Sequence, residues 1–397
     1  MIQLKTYLLT LTCALFLFQA NAQFQLSKKS EVSVLTIGPG FVLNDAFGHS
    51  AIRIKDSLQD IDLVFDYGRY DFQAEGFYLN FAKGKLDYEI GWTNYEDFIS
   101  NYKLQQRRVT AQIIGFTIEE KQKLFETLQT NLQPQNKSYS YDFFYNNCAT
   151  KIKDILVNAS NKSILFLPLE NFEPLTFREL IRSHVPQNTW GGLGIDVALG
   201  SIIDRLASVE EHLFLPKYLD EILKHSKFDP ETTKLVVRSE ILNKTQKPNP
   251  SAFWWSPIII LFLVSITIIG ITYKDWISKS RNKFIDALIF FTTGSIGLLI
   301  LFLWFATDHR ATAYNYNFLW AFGFNLLMLK TVLKDKPKKL FIGYLKFLIL
   351  LLTLMLLHSL TGVQAFNYTI IPLWIALLTR YGFLIHWFSQ EKNQKNV

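Results

Sequence analysis

Residues 141–156 read YDFFYNNCATKIKDIL. Ile152 and Ile155 follow Cys148 at helical spacing, and Asn147 is a residue type that caps helices well. A helix is therefore predicted from about Asn147 to Val157, with Cys148 at its start. Backbone N–H groups and the helix dipole favour an anion at that end, which lowers a thiol's pKa and can also hold an oxyanion. A lone cysteine is more often inert core than nucleophile, so the thiol needs a base before it means chemistry. The aromatic run Phe143, Phe144 and Tyr145 reads as core beneath this helix and not as a lipid groove.

The chain has 397 residues, too many for one ordinary domain. Its first residues have the form of a secretory signal. Lys5 supplies the charge, Tyr7 to Phe18 the apolar core, and Ala20-Asn21-Ala22 the cleavage site, so the mature chain is expected to begin at Gln23. Of the two cysteines, Cys13 lies inside that apolar core, leaving Cys148 as the one thiol of the exported protein. An exported single thiol is a liability unless it is buried or used.

Two compositional halves follow. Residues 23–250 are mixed and polar enough to be globular. Strands are predicted at Ser33–Ile37, Ala51–Ile54, Asp62–Tyr67 and Arg108–Ile114. Capping boxes open helices at Thr117/Glu120 and Thr176/Glu179. This pattern predicts an α+β core over residues 23–160, a helical extension and linker over 161–250, and then a membrane part over 251–397. The membrane part holds five apolar runs, at about 253–273, 284–306, 316–333, 340–358 and 368–388, each near the roughly 20 residues a bilayer span needs.

Charge bias agrees with export. Loops 274–283 and 334–339 carry Lys274, Lys279, Arg281, Lys283, Lys334, Lys336, Lys338 and Lys339, whereas 359–367 carries no charge. The thiol domain is then periplasmic, the C-terminus cytoplasmic, and the membrane the inner one. The net charge of +7 reports cytoplasmic loops, so nucleic acid is not an expected partner. No cluster has zinc-ligand spacing, and no metal or cofactor is expected.

His49 lies in FGHSAIRI (47–54), at the entry to a strand and after a glycine that permits close backbone approach. FGHSAIRI followed by YNNCATKI resembles the circularly permuted branch of NlpC-type, papain-like enzymes, in which the His strand precedes the Cys helix. The whole chain resembles the Lnb-type lipoprotein N-acyltransferases of Bacteroidota. The residues that carry this are FGHSAIRI, LVFDYGRYDF (63–72), GKLDYEI (84–90), YNNCAT, WGGLGIDVALG (190–200), HLFLP (212–216) and TDHRATAYNYNFLWAF (307–322), set between a signal segment and five apolar runs.

The resemblance implies Cys148 as nucleophile, His49 as general base and acid, and a third polar residue on the strand after the His strand. Asp66 is the candidate for that third residue, with Asp62 second. It implies a phospholipid as acyl donor, a thioester on Cys148, and the N-terminal amine of a diacylated lipoprotein as acceptor. Two other readings share parts of the sequence: a membrane-anchored cysteine peptidase or amidase of the cell wall, and a non-catalytic envelope protein. His309, Asn315 and Asn317, at the outer end of the third apolar run, are candidate substrate-binding residues. Asn325 within that run is expected to face the bundle interior. The glycines of WGGLGIDVALG lack any nucleotide-loop context and read as a turn-rich packing segment.

Overall fold

The computed structural model describes residues 24–246, apart from 71, 72, 74, 86 and 231, and residues 253–393. The expected signal segment lies outside the described residues. The N-terminal part is α+β. Its main sheet holds β1 (Ser30–Ile37), β2 (His49–Asp56), β3 (Ile61–Arg69), β4 (Asp87–Asn94), β5 (Val109–Ile114), β6 (Ser138–Ser140) and β9 (Val236–Asn243), in the order β6-β4-β3-β2-β1-β5-β9. All neighbours are antiparallel. Strands β7 (Ser163–Leu165) and β8 (Lys227–Asp229) form a separate ribbon. The helices are α1 (Phe77–Lys83), α2 (Tyr95–Leu104), α3 (Ile118–Asn131), α4 (Cys148–Ala159), α5 (Phe177–Arg182), α6 (Trp190–Ala198) and α7 (Pro216–His225).

Alternation along the strands sorts apolar side chains to two faces. Val32, Val34, Ile52, Ile54, Phe65 and Tyr67 pack against α3, α4 and α7. Leu35, Ile37, Ala51, Val64 and Ala111 face the other way, onto Phe98 and Ile99 of α2. Both capping boxes predicted from the sequence form, as does the Asn147 cap. The extension after residue 160 differs from the helical expectation. It returns β9 to the sheet edge beside β5, so the core does not end at residue 160. The segment expected to be turn-rich is helix α6, started by Thr189, whose hydroxyl accepts from Gly192 N at 3.0 Å.

The membrane part contains α8 (Pro257–Ile277), α9 (Lys283–Phe305), α10 (Asn325–Val332), α11 (Lys339–Leu360) and α12 (Ile371–Asn393). Among the described residues, four helices are long and apolar enough to cross a membrane. The third apolar run departs from the five-helix expectation. It is a short 3-10 turn at Tyr316–Leu319, an irregular stretch, and then the eight residues of α10. It still passes from one end of the bundle to the other. Tyr316 N–H meets Gln364 at 2.8 Å at the end nearer the thiol domain, and Arg281 reaches the Lys334 carbonyl at 2.9 Å at the far end.

The broken segment carries a polar side chain that must be paired, because no water reaches it in lipid, and it needs room. Asn325 is fully buried; it donates to Thr293 at 2.8 Å and accepts from Tyr344 at 2.5 Å. Gly297 of α9 supplies the room: a Cβ there would stand 2.0 Å from the Ala321 carbonyl oxygen. At the far end Arg380 and Arg281 share Asp286, and Arg380 also holds Asp275.

Replacing Gly297 by Val should force the broken segment off α9, at a cost of about 1–3 kcal/mol typical of overpacking. The melting midpoint of the detergent-solubilised protein should fall by several degrees. Gly343→Ala, where nothing stands within 4 Å, should not lower it.

Candidate active site

Asn147 fixes where α4 begins. Its side-chain oxygen accepts from Ala149 N at 2.9 Å and Thr150 N at 3.0 Å, and its amide donates to the carbonyls of Phe143 and Phe214, each at 2.8 Å. Cys148 is thereby the first residue of the helix, partly exposed, at the end of the sheet where β2 starts. His49 opens β2, and Asp66 lies near the end of its neighbour β3. His49 Nε2 is 3.1 Å from Asp66 Oδ2. The Cys148 thiol interacts with the same imidazole. With Nε2 engaged by Asp66, Nδ1 is the nitrogen left for sulfur. The structure thus joins the three residues that the sequence brought forward: thiol, imidazole and carboxylate.

The electrostatics follow. Burial alone would push the Cys148 thiol up, but the imidazolium of His49 and the backbone N–H groups of Ser50 and Ala149 outweigh it and hold the thiol below its ordinary value. Burial likewise opposes a charged His49. Tyr102, the Cys148 sulfur and Asp66 overcome that and raise it well above the ordinary histidine value. Asp66 is 8% exposed; burial pushes its carboxyl up, yet His49 and Arg69 bring it below the usual range. Both shifts run in the direction of a thiolate–imidazolium pair backed by a carboxylate.

Arg69 was not singled out from the sequence, and a bulge explains why. In a regular strand residues 66 and 69 point to opposite faces. The β3–β4 register slips between Tyr67 and Arg69, where Gly68 has φ +96°. The inserted residue turns Arg69 onto the face of Asp66. Its Nε and Nη2 meet Asp66 Oδ1 at 2.8 and 2.5 Å, and Nη2 also donates to Thr93 at 2.8 Å. Gly91, directly across from Asp66, leaves space for the guanidinium; a Cβ there would lie 2.4 Å from Arg69 Cζ. A glycine inside a strand pattern, as in FDYGRYDF, is the sequence signal for such a bulge.

The three residues open into a cleft of 650 Å³. Its walls include Tyr67, Tyr88, Tyr102, Tyr141, Phe47 and Phe143, and also His309 from the membrane part. That loop is docked firmly. Asp308 N–H donates to Lys83 O at 2.8 Å, and His309 Nε2 lies 2.9 Å from Phe81 O, both carbonyls belonging to α1.

Two family models match this sequence. The Lnb N-terminal periplasmic domain matches residues 18–183, and the Lnb transmembrane domain matches residues 248–393. The chain belongs to the Lnb family. No curated protein and no solved structure matches significantly. The first match covers six of the seven strands of the main sheet and the thiol helix, and the second covers the helical bundle, so the thiol stands in the periplasmic domain of a membrane protein.

Three sequence candidates do not belong to this Lnb cleft. Asp62 is four residues along β3 from Asp66, about 13 Å at strand rise. Both of its oxygens bind Arg53 at 2.6 Å, and it makes no contact with His49. Asn315 and Asn317 are each 1% exposed and face the seam between the two parts. Asn315 donates to the carbonyls of Val197 and Ala198 at 2.8 and 3.0 Å, and Asn317 to Asp196 O at 2.9 Å. They terminate α6 by satisfying its last carbonyls and leave no group for a ligand. Of the outer-loop candidates, only His309 lines the cleft.

Alkylation of Cys148 by iodoacetamide should stay fast below the ordinary thiol range and slow only as acid reprotonates the thiolate. His49→Ala leaves burial dominant, so the profile should move to higher pH and the neutral-pH rate should fall at least tenfold. Asp66→Asn should move it the same way by less, and Gly91→Ala, which displaces Arg69, by less again. A profile unmoved by His49→Ala would show that the imidazole does not ionise the thiol.

Proposed function

We propose that this protein is a lipoprotein N-acyltransferase that moves an acyl chain from a membrane phospholipid, through a thioester on Cys148, to the N-terminal amine of a diacylated lipoprotein. The observation that carries this reading is the shared cleft: a thiol, a histidine and a carboxylate in the periplasmic domain, facing a wall that includes His309 of the membrane domain. A cell-wall peptidase needs the first set of residues but has no use for a wall supplied by a membrane domain.

The chemistry proceeds in two halves. The Cys148 thiolate attacks the carbonyl carbon of the donor ester. The C–O bond breaks, and the imidazolium of His49 gives its proton to the departing lysophospholipid oxygen, leaving a thioester and neutral His49. The amine of the acceptor then attacks the thioester. His49 takes the amine's proton, the C–S bond breaks, and the thiolate–imidazolium pair is restored with an amide as product. The N–H groups of Ser50 and Ala149 that point at the sulfur stabilise its anion at the start and end of the cycle. Asp66 holds the imidazole in orientation throughout, and Arg69 holds Asp66. An amine outcompetes water for a thioester, and a cleft lined by aromatic rings limits the water present.

The loop-charge bias supports insertion in the inner membrane with a cytoplasmic C-terminus, which sets the cleft at the outer leaflet. His309 is then placed to meet the donor or acceptor as either enters from the bilayer.

Purified protein, a phospholipid and a synthetic diacylated lipopeptide should yield an N-acylated lipopeptide by mass spectrometry. Without lipopeptide, a hydroxylamine-sensitive acyl adduct should accumulate on Cys148. Cys148→Ala should abolish both, a loss of more than a thousandfold. An unmodified lipopeptide, together with cleavage of cell-wall peptides by the same preparation, would replace this reading with a peptidase or amidase; inertness in both assays would favour a non-catalytic role.

A further inference from the structure

Beside the thiol cleft lies a second cavity, of 330 Å³, between the periplasmic domain and the outer end of the bundle. Its volume falls within the ~300–1,000 Å³ range of small-molecule pockets. The periplasmic side gives Phe144, Phe177, Ile195, Ala198, Ile202 and Ile203, and the membrane side gives the 308–312 loop. The two spaces adjoin. Phe47, Tyr141, Phe143 and His309 line both.

We infer that this cavity is the pocket for the donor's alkyl chain, holding it while its carbonyl carbon is bonded to Cys148. The inference rests on the acyl-transfer reading and deepens it. Three features carry it. The first is position: the shared residues put the mouth of the cavity at the thiol cleft, where the carbonyl end of an acyl group must sit. The second is chemistry. The body of the wall is phenyl and branched aliphatic, with the charged side chains Asp142, Asp308 and Arg310 also on the lining. A peptide or sugar would leave its polar groups unpaired there, whereas an alkyl chain has none to satisfy. The third is rigidity. Phe143, Phe144, Phe177 and Phe214 form one edge-packed cluster, with centroids 5.0 Å apart for Phe144 and Phe177 and 5.6 Å for Phe143 and Phe214. Such a wall has a fixed volume, and a fixed volume selects chain length. The aromatic run read from the sequence as core thus has a second face: Phe144 is buried in the core, and the cluster also walls the cavity.

The test uses the full chain in detergent with two acyl donors, a butyryl p-nitrophenyl ester and a dipalmitoyl phospholipid. Ala198→Phe and Ile202→Trp narrow the cavity from its periplasmic wall; Ile202 is 42% exposed and tolerates change. In both variants palmitoyl loading of Cys148 should fall at least tenfold while butyryl loading stays within twofold. Each methylene that loses its place accounts for roughly a three- to fourfold loss. Variants that load palmitate as well as the unaltered protein overturn the pocket and leave acyl transfer standing. An unaltered protein that takes butyryl but never palmitoyl overturns the acyl-transfer reading itself. A second measurement needs no variant. A phospholipid with a mid-chain diazirine should cross-link to Phe144, Ile203 or Ala311. Label confined to the lipid-facing sides of the bundle overturns the proposal.

Discussion

Asp196, on α6, is 3% exposed and carries the junction between the two domains. Arg178 reaches its carboxylate at 3.0 Å, Arg182 at 3.1 Å and Asn367 at 2.9 Å, while its backbone carbonyl accepts from Asn317 at 2.9 Å. Arg178 is 1% exposed and also binds Asp204 and the carbonyls of Leu199 and Gly200. Buried ion pairs add little net stability over apolar packing, because each charge gives up its water. Their value here is geometric. Arg178, Arg182, Asp196 and Asp204 all lie in the periplasmic domain, so the ion pairs fix α6 in place, and the bundle joins it through the neutral amides of Asn317 and Asn367. This junction places His309 in the thiol cleft and gives the proposed alkyl-chain cavity its second wall. A loose linker would provide neither.

A parallel chain of dependence runs through the thiol domain. Gly68 permits the bulge, the bulge turns Arg69 to Asp66, Gly91 leaves it room, and Asp66 orients His49. Each step is a neighbour acting on a neighbour, and only the last meets sulfur. Burial favours the neutral thiol and the neutral imidazole; their mutual attraction, Asp66 and the local N–H groups favour the charged pair. For both groups those attractions outweigh desolvation, so small displacements far back in the chain should be felt at the thiol.

Much of this was legible in the sequence where the governing physics is local. Thr117, Asn147 and Thr176 announced helix starts, because a cap acts within three residues. Cys148 and His49 stood out by their positions at element starts. The spacing of the apolar runs located the bundle. What escaped depends on non-local partners. A bulge reverses side-chain parity, so Arg69 could not be assigned to the face of Asp66 from alternation alone. Strand β9 has mostly exposed residues and gains its place only by pairing with β5. Hydropathy measures composition and is blind to helix continuity, so the third run looked like an ordinary span. Its break depends on Gly297, Thr293 and Tyr344, which lie on other helices. Asn315 and Asn317 read as ligand-binding residues at the membrane surface, but both are buried in the domain seam and their partner is the end of α6.

The thiol and the cavity constrain each other. A thioester is useful to a transferase only if it survives until the amine arrives. Survival requires that water be kept from the carbonyl and that the acyl chain not pull the carbonyl out of line with His49. A chain left in the bilayer would do neither, since lipid motion would be transmitted to the bond. A chain held in a rigid aromatic pocket beside the cleft excludes water by filling space and fixes the carbonyl by anchoring its tail. The membrane loop at 308–312 closes one side of the same pocket, and the domains that form it meet at Asp196 through Asn317 and Asn367. On the acyl-transfer reading, docking, chain binding and thioester lifetime are therefore one structural requirement, which gives a physical reason for joining an α+β thiol domain to a membrane bundle in a single chain.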